Sequence, residues 1–249
     1  MKILVLILSF FILTLHAEDE PKTGTELVKV KLVSEYEHLM AGNEQWIGLL
    51  MTIEEGWHTY WRYAGDSGLP TMLDWLSKNE NVRISDIKWP VPEKIKFSGM
   101  ANYGYEDQVL LMMKIKVPKD FDKNKINLKA DANWLVCKEK CLPGNKEVSL
   151  ELPVRNSPSL PTEYKTMFED YSKMLPLENE YFTADAKLKG GDIVLEILEE
   201  KHIDYTEMTF FPYEAEIISN GKDQKIEKND GRAKLIMPLD QYRVKEPEQ

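Results

Sequence analysis

The sequence predicts a mainly β chain: an antiparallel β-sandwich, a connecting helix, and a second, smaller β-domain. Apolar residues alternate with period two over several runs before residue 155, the period becomes helical between Pro161 and Pro176, and period two then returns. Gly, Pro, Asn and Asp clusters punctuate the runs as turns of an antiparallel fold should.

The chain opens with Met1-Lys2 and the apolar run ILVLILSFFILTL, ends that run near Ala17, and turns acidic at Glu18, Asp19 and Glu20. The run is shorter than the roughly 20 residues needed to cross a bilayer, and its basic start and small-residue end are those of a secretory signal. Residues 1–17 are therefore expected to be cleaved, leaving a soluble chain in an exported, disulfide-permissive space.

The first β-domain is expected over residues 22–155. Thr25–Tyr36, Gln45–Ile53, Val109–Val117, Lys125–Val136 and Val148–Val154 read as its strands. A helical connector is expected over 156–178, where Tyr164, Met167, Phe168, Tyr171, Met174 and Leu175 fall on one helix face. The flanking prolines limit it, and its polar face is mixed in charge, unlike that of a membrane-surface helix. Strand patterns at Ile193–Leu198, Glu207–Phe211, Ala215–Ser219 and Ala233–Met237 then predict a second β-domain over 179–249, with hairpin signals at Gly190-Gly191, Asn220-Gly221 and Asp230-Gly231.

With 249 residues, 43% of them hydrophobic, the chain can bury real cores. Its net charge of -10 lacks the clustered basic face that nucleic acid requires.

The stretch GWHTYWRYAGDSGLPTMLDW contains GDSG, the surroundings of the nucleophilic serine in trypsin-like proteases. A triad in that order needs His and Asp well upstream, yet before Ser67 the mature chain offers only His38 and His58, with Asp66 adjacent to the serine itself. Leu69 also stands where the protease has glycine. Gly65-Asp66-Ser67-Gly68 therefore reads as a shaped loop whose serine hydroxyl bonds backbone.

The only cysteines, Cys137 and Cys141, lie in ANWLVCKEKCLPG. A straight strand would hold their Cα atoms about 13 Å apart, against the roughly 4.4–6.8 Å of a disulfide, so the segment must curl; Pro143-Gly144 support a loop there. Closing so short a ring gives only about 2 kcal/mol of chain-entropy stabilisation, against about 4.7 kcal/mol for a loop of about 100 residues. Lys138 and Lys140 favour a thiolate and Glu139 partly offsets them. Spacing alone leaves a redox pair, a structural bridge and a metal site all open. Zinc lacks a ligand set in two Cys plus His38, His58 and His202. Copper(I) is the better rival, with Met112 and Met113 as soft ligands, although neighbours in a strand point to opposite faces. Trp57, Trp61, Trp75, Trp89 and Trp134 read as core before docking surface, with Trp134 beneath the cysteine loop, and His58 is a candidate thiol-proton acceptor.

Together, WHTYWRYAGDSGLPTMLDW, WPVPEKIKFSG, NYGYED and ANWLVCKEKCLPG resemble the N-terminal periplasmic region of the DsbD-like thiol:disulfide interchange proteins, most of all the ScsB (suppressor of copper sensitivity) branch; FFPYEAEI resembles that branch's other β-domain. The resemblance implies an immunoglobulin-like fold, a periplasmic location and a Cys137/Cys141 pair that cycles between dithiol and disulfide without a cofactor. By the same analogy, electrons come from a membrane-embedded hub or thioredoxin-like domain and pass to oxidised thioredoxin-like partners, with Cys141 forming the mixed disulfide and Cys137 resolving it. It also implies a cap loop over the cysteines, here Phe97–Tyr105, with Phe97, Met100, Tyr103 or Tyr105 as the shield. The three-residue interval between the cysteines fits the ScsB branch, and Tyr63-Ala64 stand where Asn-Pro is expected before GDSG. The family usually continues into membrane helices beyond the point where this sequence stops. That leaves two expectations, a piece of a longer protein or a chain that borrows electrons from a separate hub. The other function class is a copper- or protein-binding module whose disulfide is only structural.

Overall fold

The computed structural model describes residues 22–77, 81–97, 99–177, 182–199, 208–214, 216–229 and 232–241. The expected signal segment 1–17, His202 and the Asp230-Gly231 turn lie outside the described residues. A single-turn helix α1 (Gly24–Leu27) precedes β1 (Val28–Ser34), β2 (Leu39–Met40), β3 (Glu44–Ile53), β4 (His58–Gly65), β5 (Met72–Trp75), β6 (Arg83–Ile84), β7 (Glu93–Phe97), β8 (Met100–Glu106), β9 (Gln108–Lys116), β10 (Lys125–Cys137) and β11 (Cys141–Arg155). Helix α2 (Lys165–Lys173) then leads to β12 (Phe182–Lys189), β13 (Asp192–Glu199), β14 (Lys225–Asn229) and β15 (Arg232–Pro238).

The first region is a sandwich of two sheets, antiparallel but for the short parallel β2–β11 pair, and immunoglobulin-like in class. One sheet runs β1-β3-β9-β6; the other runs β2-β11-β10-β4-β8-β7, with β5 also paired to β10. Alternation decides which side chains meet between the sheets: Ile126, Leu128, Ala130, Ala132, Trp134 and Val136 of β10 face inward against Val109, Leu111, Met113 and Ile115 of β9. Each fully buried aliphatic side chain there contributes about 1.5–3 kcal/mol relative to exposure.

Strand β9 is buried on both sides, because α2 covers its other face. Leu110 and Met112 pack with Val33, Leu50 and Phe168 of the helix. The expected helix is thus present, trimmed inside its prolines, and Tyr171 Oη ties it down by donating to the Gln108 carbonyl at 2.8 Å. Among the described residues no helix is long and apolar enough to cross a membrane.

The second region is built on an antiparallel sheet in the order β12-β13-β15-β14. Ile193, Leu235 and Met237 form its inner face, and Phe210, Ile217 and Ile218 cover them from irregular chain. The strand expected over Ala215–Ser219 reduces, among the described residues, to one bridge, Ile218 to Leu239. Likewise residues 208–211 of the strand expected at Glu207–Phe211 are not extended into a ladder. Phe211 packs instead on Trp61 and Tyr103 of the sandwich, with ring centroids at 6.0 and 5.2 Å. Aromatic burial across the two regions outweighs the local alternation there.

Candidate functional site: a disulfide at a hairpin tip and the loop that covers it

Strands β10 and β11 pair in unbroken register from Lys125↔Pro153 to Cys137↔Cys141. The cysteines are therefore directly opposed where the hairpin turns at Lys138-Glu139-Lys140, with Cα atoms 4.1 Å apart, and they form a disulfide. The required curl is this turn. Pro143-Gly144, expected in the loop, instead belong to β11, opposite Leu135 and Trp134. Proline is tolerated there because α1, not another strand, covers the outer edge: Thr25 Oγ1 donates to the Asn145 carbonyl at 3.1 Å. Gly144 is required because a Cβ would run into the Trp134 indole.

Inward-facing positions of β10 end with Trp134 and Val136, so Leu135 and Cys137 point to the outer face of the sheet. Cys137 is nonetheless 2% exposed, whereas Cys141 is an exposed residue. Cys137 is covered by Tyr60 and Ala64 of β4, with Leu135 beside them, a small cluster separate from the sandwich core.

That cover exists because the chain leaves the sheet. His58 pairs with Cys137, and Met72 pairs with Asn133, so a short run of β10 is matched by a much longer stretch of its neighbour. The register of β4 on β8 slips in the same place, between Tyr60↔Gly104 and Gly65↔Asn102. The surplus chain is the GDSG loop. Gly68, at φ 102°, lies on the Tyr60 ring so closely that a Cβ there would collide with it.

Tyr60 is 1% exposed, and its hydroxyl donates to Cys141 Sγ at 3.5 Å, the sulfur carrying no proton in the disulfide. Burial pushes the phenol above its ordinary value of 10.0, partly offset by the neighbouring Ser67 hydroxyl. The group therefore stays protonated and remains a donor. Ser67 Oγ, expected from the loop alone to bond backbone, donates instead to the Asn102 side chain, at 3.1 Å from Oδ1. Asn102 Nδ2 in turn lies 3.5 Å from His58 Nε2, and the His58 ring meets Tyr60 edge-on at 5.2 Å. Burial lowers the pKa of His58 from 6.5, which favours the neutral ring at neutral pH.

Lys138, Glu139 and Lys140 are exposed at the hairpin tip, with the Lys138 side chain lying over the turn at Gly56. Trp134 is buried and donates through Nε1 to the Gly24 carbonyl at 3.1 Å, fixing α1 behind the hairpin. Of the expected shield residues, Tyr103 and Tyr105 face the core, their hydroxyls donating to Asn220 Oδ1 at 3.0 Å and to the Pro90 carbonyl at 2.7 Å. Phe97↔Met100 close the β7–β8 hairpin and are exposed. They sit about 20 Å along β8 from Glu106, which pairs with His58 beside Cys137. The stretch read as a cap loop is thus a regular hairpin, and the aromatic group on the disulfide is Tyr60. Met112 and Met113 pack in two different clusters, neither holding Cys137, and Trp61, Trp75 and Trp89 pack in or against the sandwich core.

Residues 25–153, which span the sandwich and both cysteines, match the family described as Thiol:disulfide interchange protein DsbD, N-terminal. The chain belongs to the DsbD N-terminal family. Among solved structures it is similar to the N-terminal periplasmic domain of ScsB from Proteus mirabilis, with a TM-score of 0.64 over 88% of this chain and 82% of that one. At 16% identity this is a likeness of fold. No curated protein matches the chain. Thiol–disulfide exchange is the broad chemistry of the DsbD family, and the Cys137–Cys141 disulfide lies within the matched residues.

Tyr60, Asn102 and Asn220 escaped the sequence reading. Tyr60 left one signal, since two residues after His58 in a strand it must share that residue's face; Asn102 left none, and Asn220 signalled only a turn, with Gly221.

Proposed function

We propose that this chain is a periplasmic thiol–disulfide exchange domain whose Cys137/Cys141 pair carries electrons from a membrane-embedded or thioredoxin-like donor to oxidised thioredoxin-like partners. The observation that carries the reading is the asymmetry of the pair: Cys141 is exposed at a hairpin tip and Cys137 is buried behind Tyr60 and Ala64. Exchange proceeds by thiolate attack along an open path to a sulfur, so access selects Cys141 as the partner-facing atom.

In the reduced domain the Cys141 thiolate attacks one sulfur of the partner's disulfide, forming a mixed disulfide and releasing the partner's other sulfur as a thiolate. The Cys137 thiolate then attacks Cys141, remaking the Cys137–Cys141 bond and releasing the partner's second sulfur. Two electrons pass to the partner, which ends as a dithiol once protonated. The donor side is the same exchange in reverse. Lys138 and Lys140, beside the exposed sulfur, favour its thiolate.

The test is trapping with an oxidised thioredoxin-like protein. Cys137→Ser is expected to accumulate a mixed disulfide through Cys141, and Cys141→Ser to accumulate none. Absence of exchange by the reduced wild-type chain, or trapping only through Cys137, overturns the assignment.

A further inference from the structure

The second β-region touches the sandwich at Asn220, a side chain 2% exposed that bonds three side chains of the first region. Asn220 Nδ2 donates to Asp66 Oδ1 at 2.7 Å and to Tyr63 Oη at 3.3 Å, while Asn220 Oδ1 accepts from Tyr103 Oη at 3.0 Å. Asp66 is held from the other side as well. Its Oδ2 accepts from the Ala101 N–H at 2.8 Å, and its own N–H donates to the Ala101 carbonyl at 3.1 Å. Asp66 adjoins Ser67, which bonds Asn102, and Gly68, which packs on Tyr60. A continuous set of contacts therefore runs from Asn220 through the GDSG loop to the ring whose hydroxyl meets Cys141.

We propose that the second β-region sets the reactivity of the Cys137/Cys141 pair through Asn220, which clamps the Gly65–Gly68 loop onto Tyr60 and so holds the Tyr60 hydroxyl on the Cys141 sulfur. This rests on the redox reading above. A hydroxyl donor stabilises a thiolate more than a disulfide sulfur, because hydrogen bonds to charged acceptors are the stronger ones. Holding that donor in place favours the reduced pair; releasing it makes the pair harder to reduce. Asn220 is a positioning residue here, since it touches neither sulfur. Other contacts between the regions bypass the loop: Lys94 Nζ donates to the Lys222 carbonyl at 2.9 Å, and Lys96 pairs with Asp223 at 2.5 Å on the exposed surface.

The experiment measures the glutathione equilibrium of the pair in wild type, Asn220→Ala, Tyr60→Phe, the double variant and Lys96→Met. Near-ultraviolet circular dichroism verifies that each variant keeps its packed aromatic core. Asn220→Ala is expected to lower the equilibrium constant for reduction about fivefold, or about 20 mV, and to add little once Tyr60→Phe is present. Lys96→Met is expected to leave the constant unchanged. An unaltered constant in folded Asn220→Ala, an equal loss in the Tyr60→Phe background, or an equal loss in Lys96→Met overturns the coupling. A wild-type pair that does not equilibrate with glutathione would instead overturn the redox reading itself.

Discussion

The Tyr60 hydroxyl lies 3.5 Å from the Cys141 sulfur, from a residue 81 positions away in sequence. Tyr60→Phe removes that donor and keeps the ring that fills the cluster with Ala64 and Cys137. Exchange of the reduced chain with a small disulfide at neutral pH is expected to slow about fivefold, with stability changed by no more than about 1 kcal/mol. Stopped-flow kinetics beside a urea melt checks both; an unchanged rate would remove Tyr60 from the site.

Ser67→Ala deletes the bond to Asn102 and leaves the loop's backbone in place. The expected result is a folded chain whose exchange slows about two- to threefold, because the loop still rests on Tyr60 through Gly68. Complete loss of exchange in a folded variant would give Ser67 a direct chemical role and contradict its place as a residue that braces the loop through Asn102.

Gly144 and Gly68 each admit an aromatic ring, Trp134 and Tyr60 respectively, where a Cβ would sit. Gly144→Ala is expected to cost about 1–3 kcal/mol through overpacking, with exchange kinetics changed little. Gly68→Ala adds the strain of φ 102° and displaces Tyr60, so it should lose both stability and exchange rate. Urea melts and exchange assays on the two variants separate these outcomes; equal kinetic effects would contradict the placement of the loop.

Acid sensitivity follows from His58. Its folded pKa lies below the ordinary 6.5 because burial disfavours the imidazolium, so between the two values the unfolded chain binds more protons than the folded one. The contribution is intact above about 6.5 and falls as pH drops from there toward the folded value. His58→Gln should flatten stability over that window when denaturant melts are run across it. A wild-type stability that rises on acidification there would contradict the sign.

Much of the fold was legible because it is local. Alternation through Lys125–Val136 marked β10, the helical spacing of Met167, Phe168 and Tyr171 marked α2, and the GG turn marked the β12–β13 hairpin. What stayed hidden depends on pairing between distant segments. His58 opposite Cys137 and Met72 opposite Asn133 force the GDSG excursion, yet nothing near Gly65 reveals which strand lies beside it. Pro143-Gly144 signalled a turn by composition, whereas α1 and the Trp134 ring make a strand of them. Strand β12 was missed although Phe182, Ala184, Ala186 and Leu188 alternate with polar residues, because two of those four are alanines that mark a face only weakly and nearly the whole strand is exposed.

The central claim is that the Cys137–Cys141 disulfide is a reagent and not a staple, and a redox titration of the full chain against glutathione tests it most directly. A potential less reducing than about -300 mV, within reach of thioredoxin-like partners, is the predicted result. A potential more reducing than about -300 mV, with no exchange toward an oxidised thioredoxin-like protein, would contradict it.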